Sequence, residues 1–438
     1  MKTVSLLLLV AGLAHGALFA QNSTIMSKLE EPDVYDFGFP TVWEPRYKHD
    51  PKDKKLILNP DFYCSECAAE GRIAAKSRDE MAELLEITKR YPTAMTDGKS
   101  EDHFGSYRLM ERPAEGVLEY VFKKMKLKNP CFIEDGFFRL VIDLPSFHSK
   151  LPPFPRREFE LQQLGDIFPK VSEKTIVISP HQRAHLYLFR AHRVRLEFEH
   201  LVGHRDKANY MDYAGPYLGM RGKWELYVFD RQPDVQEFVE AYIGQNLDDG
   251  LCWHLLSDKA MQIFLHGDRR KDVWINNTFT HRLSYALLTG YRAYQYDMPA
   301  WLALGYAHLM ERRERTDFNT FIFGEGAVPD FDLPAKWKVG IRKAMLAGEY
   351  RPFQQIAEFQ DVGKIMPAEH PLVWSIVSYL VQLDQEKFAR FVHVLKEKKA
   401  GESMRDLVRR ALAMSYGKSL TEVDEGWQAW VKETYPTV

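Results

Sequence analysis

Metal binding and thiol chemistry need Cys, His and carboxylate side chains at short, regular spacings, and the chain carries several such groups. Cys64-Ser-Glu-Cys67 has the two-residue gap of a redox pair. No His follows it as in haem attachment, no second C-x-x-C exists to complete a zinc ribbon, and the aromatic-Cys-Gly-Pro context of a thioredoxin-like site is missing. It therefore reads as a structural disulfide, within the pair or to Cys131, with thiol-redox catalysis by Cys64 and Cys67 as the sharper alternative. His181 and His185 stand at i and i+4, as do His200 and His204, so each pair shares one helix face and can reach one metal ion. Each pair needs further ligands that the spacing does not identify, and His200 and His204 near a helix C-terminus are accounted for by the helix dipole. No metal and no other cofactor is expected.

A second constellation runs from Thr278 to Glu311. His281, Arg282 and Tyr285 lie on one predicted helix; Pro299, Trp301, Leu304, Gly305, Ala307, His308 and Glu311 lie on the next. In this segment the chain resembles the gluzincin zinc metallopeptidases, in particular secreted bacterial proteins with a peptidase-MA-like domain. Their pattern is H-E-x-x-H, eighteen residues, then a Glu inside a P-x-W-L-x-E-G-x-A phrase. Positions 281 to 285 stand for the first part, eighteen residues separate Tyr285 from Leu304, and Leu304 stands where the Glu belongs. Further likeness lies in Pro180-His-x3-His185-Leu-Tyr, in Pro371 to Leu380, in Ala411 to Ser419 and in Trp427-x2-Trp430, so that it spans roughly residues 165 to 435.

The resemblance implies a zinc site that this chain has lost. Two His at i and i+4 and a carboxylate from a second helix would hold the ion, and the Glu after the first His would be the general base for a metal-bound water. Only His281 survives. Arg282 puts a permanent cation in place of the base, Tyr285 a poor neutral ligand in place of the second His, and Leu304 an alkyl group in place of the carboxylate. Relocation is the alternative: His308 and Glu311 continue the face of Leu304 and would join His281 in a new triad. A one-turn move shifts a ligand by about 5.4 Å, which zinc distances near 2.1 Å do not absorb without rearrangement. His308 and Glu311 therefore read as polar residues at a pocket rim. Arg282, if buried, needs a partner, and Asp297, Glu311 and Glu314 are the candidates.

The elements that must position these groups follow from pattern. Ser77-x-x-Glu80 is a capping box opening a helix toward Arg90. Residues 116–124 and 136–144 look like strands, and residues 223–230 alternate as a strand does. Ser179-Pro180 introduces a long helix over 181–202, and Pro233-Asp234 introduces one over 235–243. Helices are expected at 277–290 and 299–314, a Gly-, Pro- and Asp-rich loop at 315–335, and an almost wholly helical remainder. Pro145, Pro152, Pro153 and Pro155 mark a domain boundary.

Lys plus Arg total 59 against 61 Asp plus Glu, which gives no reason to invoke nucleic acid or an anionic membrane surface. Lys2, an apolar run from Val4 to Leu13, and small residues up to Ala20 form a secretory signal, too short to span a bilayer. The expected class is α+β: a signal peptide at 1–20, an irregular leader at 21–54, a small N-terminal α/β domain at 55–150, a gluzincin-like domain at 158–335 with a short sheet and two core helices, and a helical C-terminal lobe at 336–438. The expected function is that of an exported pseudo-peptidase, periplasmic or extracellular, that binds a peptide or another envelope protein and crosses no membrane. The alternatives are a divergent zinc metallopeptidase with relocated ligands and the thiol-redox protein above.

Overall fold

The computed structural model describes residues 62–72, 124–150, 156–203, 217–243, 252–323 and 336–437, apart from short breaks within them, together with Val121 and short strands at 48–49, 56–57 and 326–328. The signal expected at 1–20 and the helix expected from Ser77 lie outside the described residues. The class is α+β.

In chain order, β1 (Lys48–His49) pairs with β2 (Leu56–Ile57), β3 (Tyr63–Cys64) leads into the short helix α1 (Ser65–Ala69), and β4 (Cys131–Glu134) turns into β5 (Phe138–Asp143). After β6 (Phe147–His148) come α2 (Arg157–Ile167), β7 (Val177–Ile178) and the long α3 (Pro180–Leu201). Then follow β8 (Trp224–Phe229), α4 (Gln232–Ile243), β9 (Cys252–Leu255), β10 (Ala260–His266), α5 (Asp272–Gly290) and α6 (Ala300–Arg312). A small hairpin, β11 (Phe321–Phe323) and β12 (Gly326–Val328), precedes the helical end of the chain: α7 (Trp337–Ala347), α8 (Phe353–Ile356), α9 (His370–Leu383), α10 (Gln385–Leu395), α11 (Met404–Tyr416) and α12 (Leu420–Thr434).

Six strands form one mixed sheet in the order β3-β4-β5-β8-β10-β9. The middle is parallel, with Phe138 opposite Trp224 and Phe264 opposite Tyr227, and the flanking pairs are antiparallel. β8 is buried at every position, as a strand covered on both faces must be. Side chains alternate along it. Tyr227 points to the face where Phe238 of α4 stacks on it at 5.3 Å. Trp224 points to the other face, where Gly290 at the end of α5 comes so close that a Cβ would sit 2.7 Å from its indole.

Four sequence expectations differ from the structure here. Strands from both sides of the Pro145–Pro155 cluster share this sheet through β5 and β8, so that boundary does not separate two sheets. Prolines there end strands and mark a crossover, which local composition cannot distinguish from a linker. Val121, expected within a strand at 116–124, is helical. The loop expected at 315–335 contains the β11–β12 hairpin, and the leader expected at 21–54 carries β1.

Helix α3 begins where its sequence says it should. Ser179 accepts from the N–H of Gln182, Gln182 returns the bond, and Pro180 occupies the first turn. Its buried Arg183 and Arg190 both reach Asp272 in the first turn of α5 at 2.8 Å, and Arg190 also grips Glu160 of α2 at 2.9 Å. One carboxylate thus fixes α5 against α3. At the other contact of this centre, α6 lies directly on α9, because a Cβ on Gly305 would meet the Val373 carbonyl oxygen at 2.4 Å.

Candidate functional site

Helices α5 and α6 pack against each other and bring His281 and His308 into ring contact, with centroids 4.7 Å apart. Leu304 lies one turn before His308 on the same face. His281, Leu304, His308 and Glu311 have no exposed surface and Arg282 is 1% exposed. Tyr285, at the outer end of the row, is partly buried against the core.

The residues around this centre fill it. His308 Nδ1 meets Glu311 Oε1 at 2.5 Å, and Thr320 N–H donates to both carboxyl oxygens at 3.2 and 3.1 Å. His308 Nε2 lies 2.7 Å from Nδ1 of His370, which opens α9. Trp337 stands 5.1 Å from the His308 ring, and Arg312 stacks its guanidinium on Trp337 and Trp374 at 4.1 and 4.7 Å.

Burial sets the charge state. It pushes Glu311 well above the ordinary carboxyl range, against the Thr320 hydrogen bonds and the Arg312 and Arg282 charges, which pull the other way. It pushes His308 well below the imidazole range, helped by His281 and His370, and it does the same to His281, helped by Arg282. A protonated Glu311 donating to His308 Nδ1, with His308 Nε2–H donating to His370, satisfies both short contacts without a net charge. Of the carboxylates proposed as partners of Arg282, Glu311 feels its charge. Glu314 is instead paired with Arg193 at 3.0 Å and Arg156 at 3.7 Å, and Asp297 accepts from the Tyr294 hydroxyl.

The ligand positions implied by the peptidase resemblance do not fit zinc: Tyr285 and Leu304 offer no donor of the required kind, and Arg282 adds a cation beside them. The relocated set is closer to hand. One donor atom from each of His281, His308 and Glu311 lies within 4.8 Å of the others. Both ring nitrogens of His281 are without a hydrogen-bond partner among the described residues. Glu311 and His308, however, are spent on each other, and all three donor residues are enclosed.

The cysteines form a separate group. Cys64, Cys67 and Cys131 are free, buried thiols, with the Cys64 and Cys131 sulfurs 3.9 Å apart. His181 and His185 join them. Cys67 Sγ lies 3.2 Å from His181 Nε2 and 3.4 Å from His185 Nε2. The sequence reading paired neither half with the other, because 113 residues separate Cys67 from His181. The complementary spacings C-x2-C and H-x3-H were the signal. His370 was also missed; it stands one residue before the Pro371–Leu380 segment and carries no spacing signature. His200 lies exposed at the end of α3, away from any such cluster, and His204 is outside the described residues.

Comparison of the chain with family models and with curated proteins gave no match.

Proposed function

We propose that this is an exported, non-catalytic relative of the gluzincin metallopeptidases that works by binding a peptide or another envelope protein. The observation that carries this reading is the enclosure of the α5–α6 centre: a hydrolytic metal needs an open coordination position and access for substrate, and His281, Leu304, His308 and Glu311 have neither. An open cleft lies elsewhere. Between α7, α9 and α12 a space of 460 Å³ is walled by Trp337, Ile341, Tyr350, Leu372 and Trp427, with the Arg351–Glu369 ion pair at 2.8 Å beside it. Aromatic walls beside a charged pair suit the side chains and backbone of a short peptide. Peptide-library binding to the full chain, followed by intrinsic tryptophan fluorescence, tests this: a bound peptide should shift the emission, and Tyr350→Ala should weaken its binding at least tenfold. Binding unaffected by Tyr350→Ala removes the cleft from the proposal.

A second reading, a divergent metallopeptidase using His281, His308 and Glu311, is favoured by the convergence of those three donors and the unpartnered His281 ring. Chelator-sensitive cleavage of casein that His308→Ala abolishes would establish it in place of the first. Thiol-redox action has less support, since Cys64 and Cys67 are both fully enclosed and withheld from a partner disulfide.

A further inference from the structure

We infer that Cys64, Cys67, His181 and His185 form a structural zinc site that fastens the β3–α1 segment to helix α3. The four residues are buried, and one donor atom from each lies within 4.8 Å of all the others. Four of the six ligand–ligand edges have the lengths of a zinc tetrahedron. Zn–S distances of about 2.3 Å and Zn–N distances of about 2.0–2.1 Å imply ligand–ligand edges of about 3.3 Å between two nitrogens and about 3.5 Å between nitrogen and sulfur. Here His181 Nε2 and His185 Nε2 are 3.2 Å apart, and the nitrogen–sulfur edges are 3.5 Å for Cys64–His181, 3.2 Å for Cys67–His181 and 3.4 Å for Cys67–His185.

The surroundings complete the case. Glu70 Oε1 lies 3.1 Å from His181 Nδ1, so that nitrogen carries the proton and the Nε2 lone pair faces the sulfurs. The Cys67 backbone N–H points to Cys64 Sγ at 3.5 Å, and Arg72 Nη1 lies 3.8 Å from Cys67 Sγ, so both sulfurs are supported as anions. Without an ion, two imidazole Nε2 atoms would face each other at 3.2 Å inside a ring of Phe62 and Phe168. Two sulfurs and two imidazoles in tetrahedral array select zinc among the common divalent ions. Four protein ligands leave no open position, which marks the site as structural and not hydrolytic. On binding, each thiol releases its proton and the Zn²⁺ takes two thiolates and two neutral imidazoles, an uncharged unit suited to burial. Cys131, 3.9 Å from Cys64 and outside the four, stays a thiol at its edge.

The test uses the full chain, purified without chelator. Elemental analysis should find zinc bound stoichiometrically; Cys67→Ser and His185→Gln should lose it, and His308→Ala should keep it. Reduced, metal-stripped wild type titrated with Co²⁺ should develop thiolate-to-cobalt charge-transfer absorption and tetrahedral visible bands, a readout that does not depend on any variant folding. Absence of those bands on cobalt addition overturns the proposal. So does zinc that survives Cys67→Ser, or peptide mapping of the native protein that finds Cys64 disulfide-bonded to Cys67 or Cys131.

Discussion

Two clusters built from similar side chains sit in this molecule and are put together in opposite ways. In the α5–α6 centre, His308 is bonded to both Glu311 and His370, and His281, packed on the His308 ring, has no hydrogen-bond partner among the described residues. In the α1–α3 cluster, the donors of Cys64, Cys67, His181 and His185 converge on a common point, and the outer atoms, such as Nδ1 of His181, carry the supporting bonds. The difference lies in where the lone pairs are directed. Donors paired with each other are satisfied without an ion; donors aimed at one point and held from behind suit one. The presence of His and Glu within reach is therefore a weaker sign of a metal than the direction of their hydrogen bonds.

The comparison is sharpened most by metal removal. Chelation of the wild type should lower the thermal midpoint by more than any substitution below, because binding energy at a structural zinc site is folding energy. His308→Ala should show the same chelator-dependent drop as the wild type, measured by calorimetry; a drop that vanishes in that variant would move the ion to the α5–α6 centre.

A smaller effect separates two carboxyls one turn apart. Glu311 is pushed up by burial, whereas Glu314, although burial opposes its charge, is brought down to about 2 by Arg193, Arg156 and Arg313. A depressed carboxyl binds fewer protons in the folded state, so its stabilisation is present above about pH 4.5 and is lost as pH falls toward about 2. Glu314→Gln should remove that acid-dependent part, on the order of 3 kcal/mol, from the pH profile of denaturant unfolding. A profile unchanged by the substitution would show that the arginines do not act on Glu314.

Gly305→Ala probes how tightly the centre is closed. With a Cβ 2.4 Å from the Val373 carbonyl oxygen, α6 and α9 must part, at about 1–3 kcal/mol in urea denaturation. No loss would mean that these helices have room between them.

The smallest effect is expected from Glu311→Gln. A neutral amide replaces a neutral acid and still donates to His308, so stability should change by about 1 kcal/mol and metal content not at all. Zinc lost on this substitution would place Glu311 among the ligands.

Much of the framework is readable from residue order. Ser179-Pro180 and the Gln182 return bond locate α3; alternation locates β8; the apolar, Pro-bounded run from Pro299 locates α6. These are local effects, decided within a few residues by capping, period and proline geometry. The sheet that spans the Pro145–Pro155 cluster was not legible for the same reason: pairing of β5 with β8 joins residues more than 80 positions apart, and nothing near Pro145 announces it. The helix pair carrying His281 and Leu304 was placed from spacing, but its closure depends on Trp337 and His370, which arrive from later helices.

By itself, then, the sequence determined most of the helices and the strand at 223–230, that His281 stands beside Arg282, Tyr285 and Leu304 where a hydrolytic zinc site would need further ligands and a base, and that two half-sites, C-x2-C and H-x3-H, exist. Only the tertiary structure decided that those halves meet. Metal geometry is a relation among four atoms in space, and chain order sets the distance between neighbours on one helix but not between a short helix at residue 65 and a long one at residue 180, whose approach is fixed by the sheet and by the apolar packing around it.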